Sequence, residues 1–473
     1  MELKKNQNIT AVITDVAFGG MGISKIPMAE KQFVVFVPDT IPGDEVSARY
    51  IKIKKSYAVA TLQKIIKPSP LRTKPRCKHF DVCGGCTFQY LNYENQLHIK
   101  EQQVRDCIER IGGVTECEIL PIIGCADPWF YRNKMEYSFG MVVAADTSAG
   151  QLSLGLHIRG RFADIFDLQE CFLQSPMSVE ILSAVRNWAR EKKLTPYDTF
   201  TKRGLLRSLT IREGKNTSDV MVNLIVNADE SFTEIDSLQK IFERDFPNVT
   251  SLFLTAVRIQ RGHPTAVQEK YIFGKTVLTE TLRVDPETTL SFDIHPQAFF
   301  QTNTRQAEIL YKTTIDLAGP KNTDVVYDLF CGTGTIGMFF AKKAGKVFGV
   351  ESHEGAVKNA RNNPEKNGLK NITFFCGDVG KMLKKHIEQG ELPPPDIVVI
   401  DPPRAGVGQK TLEQIMALKA KKIVYVSCNP ATFARDAALM GKLYTLKKLQ
   451  PVDMFPQTYH VEVVGLFLLL EAP

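Results

Sequence analysis

Apolar and polar positions mark out three differently patterned regions along the chain. In the first sixty-odd residues, strand-like runs such as Phe33-Val34-Val35-Phe36-Val37 and Ala58-Val59-Ala60-Thr61-Leu62 are separated by turn residues at Gly19-Gly20, Pro42-Gly43 and Asp44. Short strands at this spacing predict a small β-barrel. Pro68, Pro70 and Pro75 then mark a linker. One amphipathic helix is predicted from about Tyr93 to Ile111, with Leu97, Val104, Ile108 and Ile111 on its apolar stripe. From about Glu118 to Leu282, alternating runs such as Leu152-Ser153-Leu154-Gly155-Leu156 and Val220-Met221-Val222-Asn223-Leu224 predict an antiparallel sheet with flanking helices. Phe299 to Asn303 reads as the ordinary start of a helix. In the last 150 residues or so, apolar runs Val325–Phe330, Val347–Val350, Ile372–Cys376, Ile397–Ile400 and Ile423–Ser427 alternate with helical stretches. That alternation predicts a mostly parallel, doubly wound α/β sheet.

At 473 residues the chain exceeds one core, and about three domains are expected. The net charge is +7, and it is unevenly spread: Arg49 to Lys78 holds ten Lys or Arg and no Asp or Glu. With Tyr50 and Tyr57 interleaved, this block suits a nucleic-acid backbone and its bases. The opening Met1-Glu2-Leu3-Lys4-Lys5-Asn6-Gln7 is polar, without the apolar core of a signal peptide, and no later run approaches a membrane span. A cytoplasmic protein is expected. Its ten cysteines then point to metal or catalysis rather than disulfides.

Chemistry concentrates in the last region. Asp328-Leu329-Phe330-Cys331-Gly332-Thr333-Gly334-Thr335-Ile336-Gly337 follows a strand and opens a helix, so its glycines let the backbone approach a nucleotide. Glu351 ends the next strand, placed to accept ribose hydroxyls, and Asp378 follows the third, placed to meet an adenine. The run also matches a nicotinamide fingerprint. Two features favour S-adenosylmethionine: Asp328 suits an amino group and would repel a pyrophosphate, and Asp401-Pro402-Pro403-Arg404 resembles the acidic Pro-Pro turn of base methyltransferases.

Cys428, in Val426-Ser427-Cys428-Asn429-Pro430, is a thiol at the end of a buried strand, where ligands bind in open α/β folds. An exocyclic nitrogen needs no covalent help to be methylated. Carbon 5 of uracil does, and a thiolate adding to carbon 6 provides it. That chemistry requires a base to remove the carbon 5 proton. Glu462, interrupting the apolar run His460-Val461-Glu462-Val463-Val464, is the candidate, because burial raises a carboxyl's pKa.

Cys77, Cys83 and Cys86 form C-x5-C-x2-C, and Cys171 stands apart as a possible fourth ligand. Four thiolates suit zinc or an iron-sulfur cluster, and the uneven spacing favours [4Fe-4S]. A radical enzyme would need C-x3-C-x2-C, so the group reads as structural or as a platform shaping RNA contacts.

Together these motifs, with Phe299-Phe300-Gln301-Thr302-Asn303, resemble the bacterial uridine-carbon-5 RNA methyltransferases that carry a TRAM domain and a [4Fe-4S] cluster. The resemblance covers nearly the whole chain. It implies an α/β class I Rossmann-like methyltransferase domain with an N-terminal OB-like β-barrel (TRAM) and a central α+β iron-sulfur domain. The implied boundaries are 1–67 for the barrel, 68–92 and 116–290 for the central domain, and 93–115 plus 291–473 for the methyltransferase domain. Cys428 would be the nucleophile and Glu462 the base. Gln301, Phe330, Glu351 and Asp401 would touch the cofactor, with Asp401 and Gln301 near the target uracil as well; they join Gly332, Gly334 and Asp378 of the motifs above as cofactor-lining residues, and Cys77, Cys83, Cys86 and Cys171 would hold the cluster. The expected partner is RNA, 23S ribosomal RNA first and transfer RNA as the alternative, acted on by a monomer. Thr335 stands where some members have asparagine, and Gln457 where histidine is frequent.

Overall fold

The computed structural model describes residues 3–28, 31–142, 150–260, 262–390 and 392–470; Met1 and Glu2 of the polar opening lie outside them. The first unit is a six-stranded sheet built from β1 (Asn8–Val12), β2 (Asp15–Val16), β3 (Gly22–Met28), β4 (Lys31–Val37), β5 (Glu45–Ile53) and β6 (Tyr57–Lys67). Its order is β1-β5-β6-β4-β3-β2, antiparallel except where β4 meets β6. Inward residues Val35, Val37, Val46, Ala48, Tyr50, Ala58 and Ala60 are fully buried in one core, as the period of two along a strand requires. Arg49, Lys52, Lys54, Lys55 and Lys64 of the basic block stay exposed.

Helix α1 (Tyr93–Arg110) is capped by Asn92, whose side chain accepts the Asn95 N–H. Its buried face differs from the apolar stripe expected. Ile111 is 49% exposed, whereas Gln96, Lys100 and Gln103 are buried beside Val104 and Ile108. Lys100 is tolerated inside because its Nζ lies 2.7 Å from Asp453 Oδ1 and 3.1 Å from the Phe455 carbonyl. The helix therefore packs on the C-terminal unit, more than 300 residues further along the chain. A short strand β7 (Glu118–Ile119) joins the edge of that unit's sheet.

The central sheet comprises β8 (Lys134–Met141), β9 (Leu152–Ile158), β10 (Arg161–Asp167), β11 (Leu206–Glu213), β12 (Val220–Asn227), β13 (Ser251–Arg258) and β14 (Ala266–Gly274), with helices α2 (Pro176–Glu191) and α3 (Ile235–Asp245). The strands run β10-β9-β8-β11-β12-β13-β14, antiparallel apart from β12 with β13. Ile181, Leu182, Val185 and Trp188 of α2, with Leu238 and Phe242 of α3, fill the core on one face. A hairpin of β15 (Leu278–Arg283) and β16 (Thr289–Ile294) follows, and Leu278, Leu282, Leu290 and Phe292 pack into the core of the C-terminal unit.

That unit contains α4 (Thr304–Ala318), β17 (Val325–Leu329), α5 (Thr335–Ala341), β18 (Lys346–Glu351), α6 (Glu354–Lys366), β19 (Ile372–Cys376), α7 (Val379–Gln389), β20 (Ile397–Ile400), α8 (Gln409–Ala417), β21 (Lys422–Ser427), α9 (Pro430–Met440), β22 (Tyr444–Val452) and β23 (Glu462–Leu469). The sheet order is β19-β18-β17-β20-β21-β23-β22-β7. Strands β17 to β21 are parallel, and β23 inserts antiparallel beside β21. Successive strand residues feed opposite faces. Val326, Val399 and Val424 meet α4 and α5, while Tyr327, Val398 and Ile423 meet α8, α9 and α1. Both faces are covered, as a Rossmann-like fold demands. The crevice at the carboxyl ends of the parallel strands is left for chemistry.

Candidate active site

Strand direction gathers the candidate residues. Phe330 to Gly334 leave β17, Glu351 ends β18, Asp401 follows β20 and Cys428 follows β21, so all lie at one edge. β23 runs the other way, and Val463 pairs with Ser427. Glu462, one residue earlier, therefore starts its strand where Cys428 leaves its own.

Local chemistry fixes Cys428. Ser427 is the last strand residue, and Asn429 caps α9 by accepting the N–H groups of Ala431 (3.0 Å) and Thr432 (3.4 Å), with Pro430 preset for the first turn. The thiol is thus held in a one-residue link between strand and cap. The acidic turn is clasped to it: the Arg404 carbonyl accepts Asn429 Nδ2 and Thr432 Oγ1, each at 3.3 Å. Buried Asp436 anchors the far side, accepting the Val407 N–H at 2.8 Å and the Tyr425 hydroxyl at 2.7 Å.

The electrostatics follow from burial. Glu462 is 3% exposed, and its carboxyl is pushed well above the ordinary range by burial and then by Asp401, with Arg404 opposing. Burial lifts Asp401 to about 7, although part of the residue reaches the cleft. Cys428, half-buried, is raised to about 11 by burial first and then by Glu462 and Asp401, while Arg404 pulls it down. The thiol therefore rests protonated near neutrality, beside two carboxyls that burial makes readier to hold a proton. Such a group attacks only after positive charge or a proton acceptor enters the site. The hydroxyl of buried Tyr311 on α4 is pushed well above its ordinary value by burial first and then by Asp401, Glu462 and Asp328. Neither Tyr311 nor Arg404 stood out individually in the sequence; one is an aromatic on an apolar helix face and the other the tail of the Asp-Pro-Pro turn.

The glycine loop is shaped for close approach. Phe330, Gly332 and Gly334 take φ values of 63°, 53° and 77°. A Cβ on Gly334 would stand 2.4 Å from Phe374 Cζ, whereas one on Gly332 would meet open space. The Gly332 N–H donates to Glu351 Oε2 at 3.2 Å, and Glu351 Oε1 accepts from the His353 N–H at 2.8 Å. Asp328 is corrected by the structure: it is fully buried, so it does not reach a ligand's amino group directly. Its Oδ2 accepts the Gly337 N–H at 2.8 Å, its Oδ1 has no partner, and burial raises the carboxyl to about 8. Gln301 is 7% exposed and its carbonyl accepts Asn133 Nδ2 at 2.8 Å. The same segment leans on the loop, the Phe299 carbonyl accepting Thr333 Oγ1 at 3.4 Å. Asp378 is exposed and accepts the Lys381 N–H at 2.9 Å, a helix-capping bond that accounts for one of its oxygens. Open space over Gly332 beside a strand-end carboxylate fits a nucleoside-bearing cofactor.

The thiols of Cys77, Cys83, Cys86 and Cys171 lie elsewhere, where Cys83 bridges to Ile158 of β9. Among the described residues, no three His, Cys, Asp or Glu side chains group to hold a metal ion. The four thiols do sense one another. Burial, with mutual repulsion behind it, raises Cys77 to about 11 and Cys86 to about 12. The Gly85 N–H donates to Cys83 at 3.3 Å, while the His79 N–H at Cys77, the Gln89 side chain at Cys86 and the Leu173 and Gln174 N–H groups at Cys171 oppose the upward shift.

The family described as "tRNA (Uracil-5-)-methyltransferase" matches residues 259–471. An RNA methyltransferase of Bacteroides thetaiotaomicron is 38% identical over 464 residues, covering 95% of this chain and 99% of the relative. One from Staphylococcus epidermidis is 34% identical over 469 residues, 98% of each. The crystal structure of Pyrococcus abyssi tRNA (uracil-54, C5)-methyltransferase in complex with S-adenosyl-L-homocysteine superimposes with a TM-score of 0.73 at 28% identity, covering 97% of this chain and all of that one. With its glycine loop, acidic turn and strand-end thiol in one crevice, the chain belongs to the S-adenosylmethionine-dependent RNA (uracil-5-)-methyltransferase family.

Proposed function

We propose that this enzyme methylates carbon 5 of a uridine in 23S ribosomal RNA, with Cys428 as nucleophile and Glu462 as base. The observation that carries the roles is the shared end of β21 and β23, which sets a half-buried thiol beside a buried carboxyl. S-adenosylmethionine supplies an electrophilic methyl group and a sulfonium charge that favours ionised neighbours. The Cys428 thiolate forms a bond to carbon 6, and the electrons of the 5,6 double bond pass toward carbon 5 and the oxygen on carbon 4. Carbon 5 would take the methyl group as its bond to the sulfonium sulfur breaks, the bonding pair staying on that sulfur to leave a neutral thioether. The Glu462 carboxylate removes the carbon 5 proton, the double bond re-forms, and the sulfur leaves as thiolate. Asp401 and Gln301 orient the flipped uracil, while Phe330, Gly332, Gly334, Glu351 and Asp378 line the cofactor.

Residues 1–67 act in this reading as a TRAM barrel whose exposed lysines hold RNA. Residues 68–92 and 116–290 form an iron-sulfur domain, and 93–115 with 291–473 the methyltransferase domain. Cys77, Cys83, Cys86 and Cys171 hold a [4Fe-4S] cluster; their N–H donors support this, since such bonds stabilise thiolate sulfur. The protein works as a cytoplasmic monomer. Transfer RNA is the second reading, favoured by the substrate of the Pyrococcus abyssi enzyme.

RNA containing 5-fluorouridine tests the chemistry, because fluorine cannot leave as a proton. A denaturation-resistant protein–RNA adduct is expected, absent in Cys428→Ala; no adduct with RNA that is otherwise methylated would overturn the covalent route. Mass spectrometry of ribosomal and transfer RNA from cells lacking the enzyme distinguishes the two substrates. Iron and sulfide analysis with a broad visible absorption tests the cluster, and a colourless zinc protein would refute it.

A further inference from the structure

A cavity of 410 Å³ lies between the segment 125–131, the β11–β12 turn and the start of α4. Cys428, Glu462 and Asp401 do not line it. Trp129, Phe130 and Ile309 form its apolar wall, and Arg76, Lys215 and Arg305 bring cations to it. The aromatic side is built rather than incidental. Phe130 holds a left-handed φ of 53°, a conformation costly for a residue with a Cβ. Its N–H donates to the Phe172 carbonyl at 2.7 Å. The Arg76 guanidinium lies over three rings, 4.3 Å from the centroid of Phe172 and 5.3 Å from those of Trp129 and Phe130. Two of the cations are partly offset, Lys215 by Glu213 at 2.6 Å and Arg305 by Asp127, which leaves the wall with a positive excess.

We propose that this cavity receives an unpaired nucleobase of the RNA substrate, next to the one that is methylated. A pocket of this size suits a single base with its sugar. Single-stranded RNA is held by stacking bases on aromatic rings while cations meet the flanking phosphates. Position argues for a neighbouring nucleotide. Asn303 forms part of the cavity wall and stands two residues from Gln301, roughly 7 Å of extended chain. The inference rests on RNA as substrate and is independent of the roles given to Cys428 and Glu462.

Trp129 makes the idea measurable, because the chain's other tryptophan, Trp188, is 2% exposed in the central core. Titration with a short unpaired oligoribonucleotide should quench the tryptophan emission. The same chain made of abasic ribose phosphates should bind without quenching, and Trp129→Phe should lose the response. In steady-state methylation, Trp129→Ala should raise KM for RNA about ten-fold with kcat unchanged, the size expected for one lost stacking contact. Quenching by the abasic chain, quenching that survives in Trp129→Phe, or an unchanged KM in Trp129→Ala would each overturn the proposal. Loss of the 5-fluorouridine adduct in the wild type would strike the covalent mechanism and leave this site standing.

Discussion

Asp328→Asn should convert a pH-dependent liability of the fold into a nearly pH-independent one. The wild-type carboxyl is wholly buried, and its pKa rises from 3.8 to about 8. Between those values the folded protein keeps the proton that the unfolded chain has lost. The contribution is therefore fully present below about pH 4 and is lost as pH rises through about 8. One bound proton changes stability by about 1.4 kcal/mol per pH unit, so the full span costs about 6 kcal/mol. Asparagine retains an oxygen to accept the Gly337 N–H, now 2.8 Å from Oδ2, and does not titrate. It adds a buried amide with an unpaired donor, a cost of about 1–3 kcal/mol at every pH. The variant should thus be no more stable than wild type at pH 5 and more stable at pH 8, with the difference moving by about 4 kcal/mol. Urea unfolding followed by circular dichroism at pH 5, 6, 7 and 8 reads that difference directly. A gap between the two proteins that stays constant within about 1 kcal/mol across this range would refute the burial argument for Asp328.

Three further outcomes follow from the geometry. Glu462→Gln should form the methylated RNA adduct in a single turnover but release product slower by about a hundred-fold or more, the usual weight of a general base; gel-resolved adduct with unmodified RNA reads this, and wild-type release would remove Glu462 from the step. Gly334→Ala should lose about 2–4 kcal/mol in a denaturant titration, because its φ of 77° is left-handed and its new methyl would sit 2.4 Å from Phe374. Lys100→Met should cost about 3–5 kcal/mol by stranding Asp453, and adding Asp453→Leu should recover much of it; strictly additive losses would show that the pair is not coupled.

The parts of the site carried by single strands were legible in the sequence. A thiol between an apolar run and an Asn-Pro cap, or a carboxylate inside an apolar run, signals its exceptional position through its immediate neighbours. What joins them was not. Cys428 and Glu462 meet because β23 enters the sheet antiparallel beside β21, and register between strands 35 residues apart is set by packing of the whole sheet. The same limit explains α1. Its apolar stripe pointed to Ile111, yet the helix buries Lys100 and Gln96, since Asp453 and Gln457 supply partners from the far end of the chain. A buried cation is affordable only with its counter-charge in place, and periodicity counts no such partner. Gln457 shows what this arrangement provides. At φ 69° it exchanges amide hydrogen bonds with Gln96 at 3.0 Å, while its carbonyl takes the Thr87 and Phe88 N–H groups just after Cys86. Five residues later comes Glu462. Gln457 thus ties the cysteine segment and α1 to the start of the strand bearing Glu462, a connection no motif displays because its atoms come from stretches more than 350 residues apart.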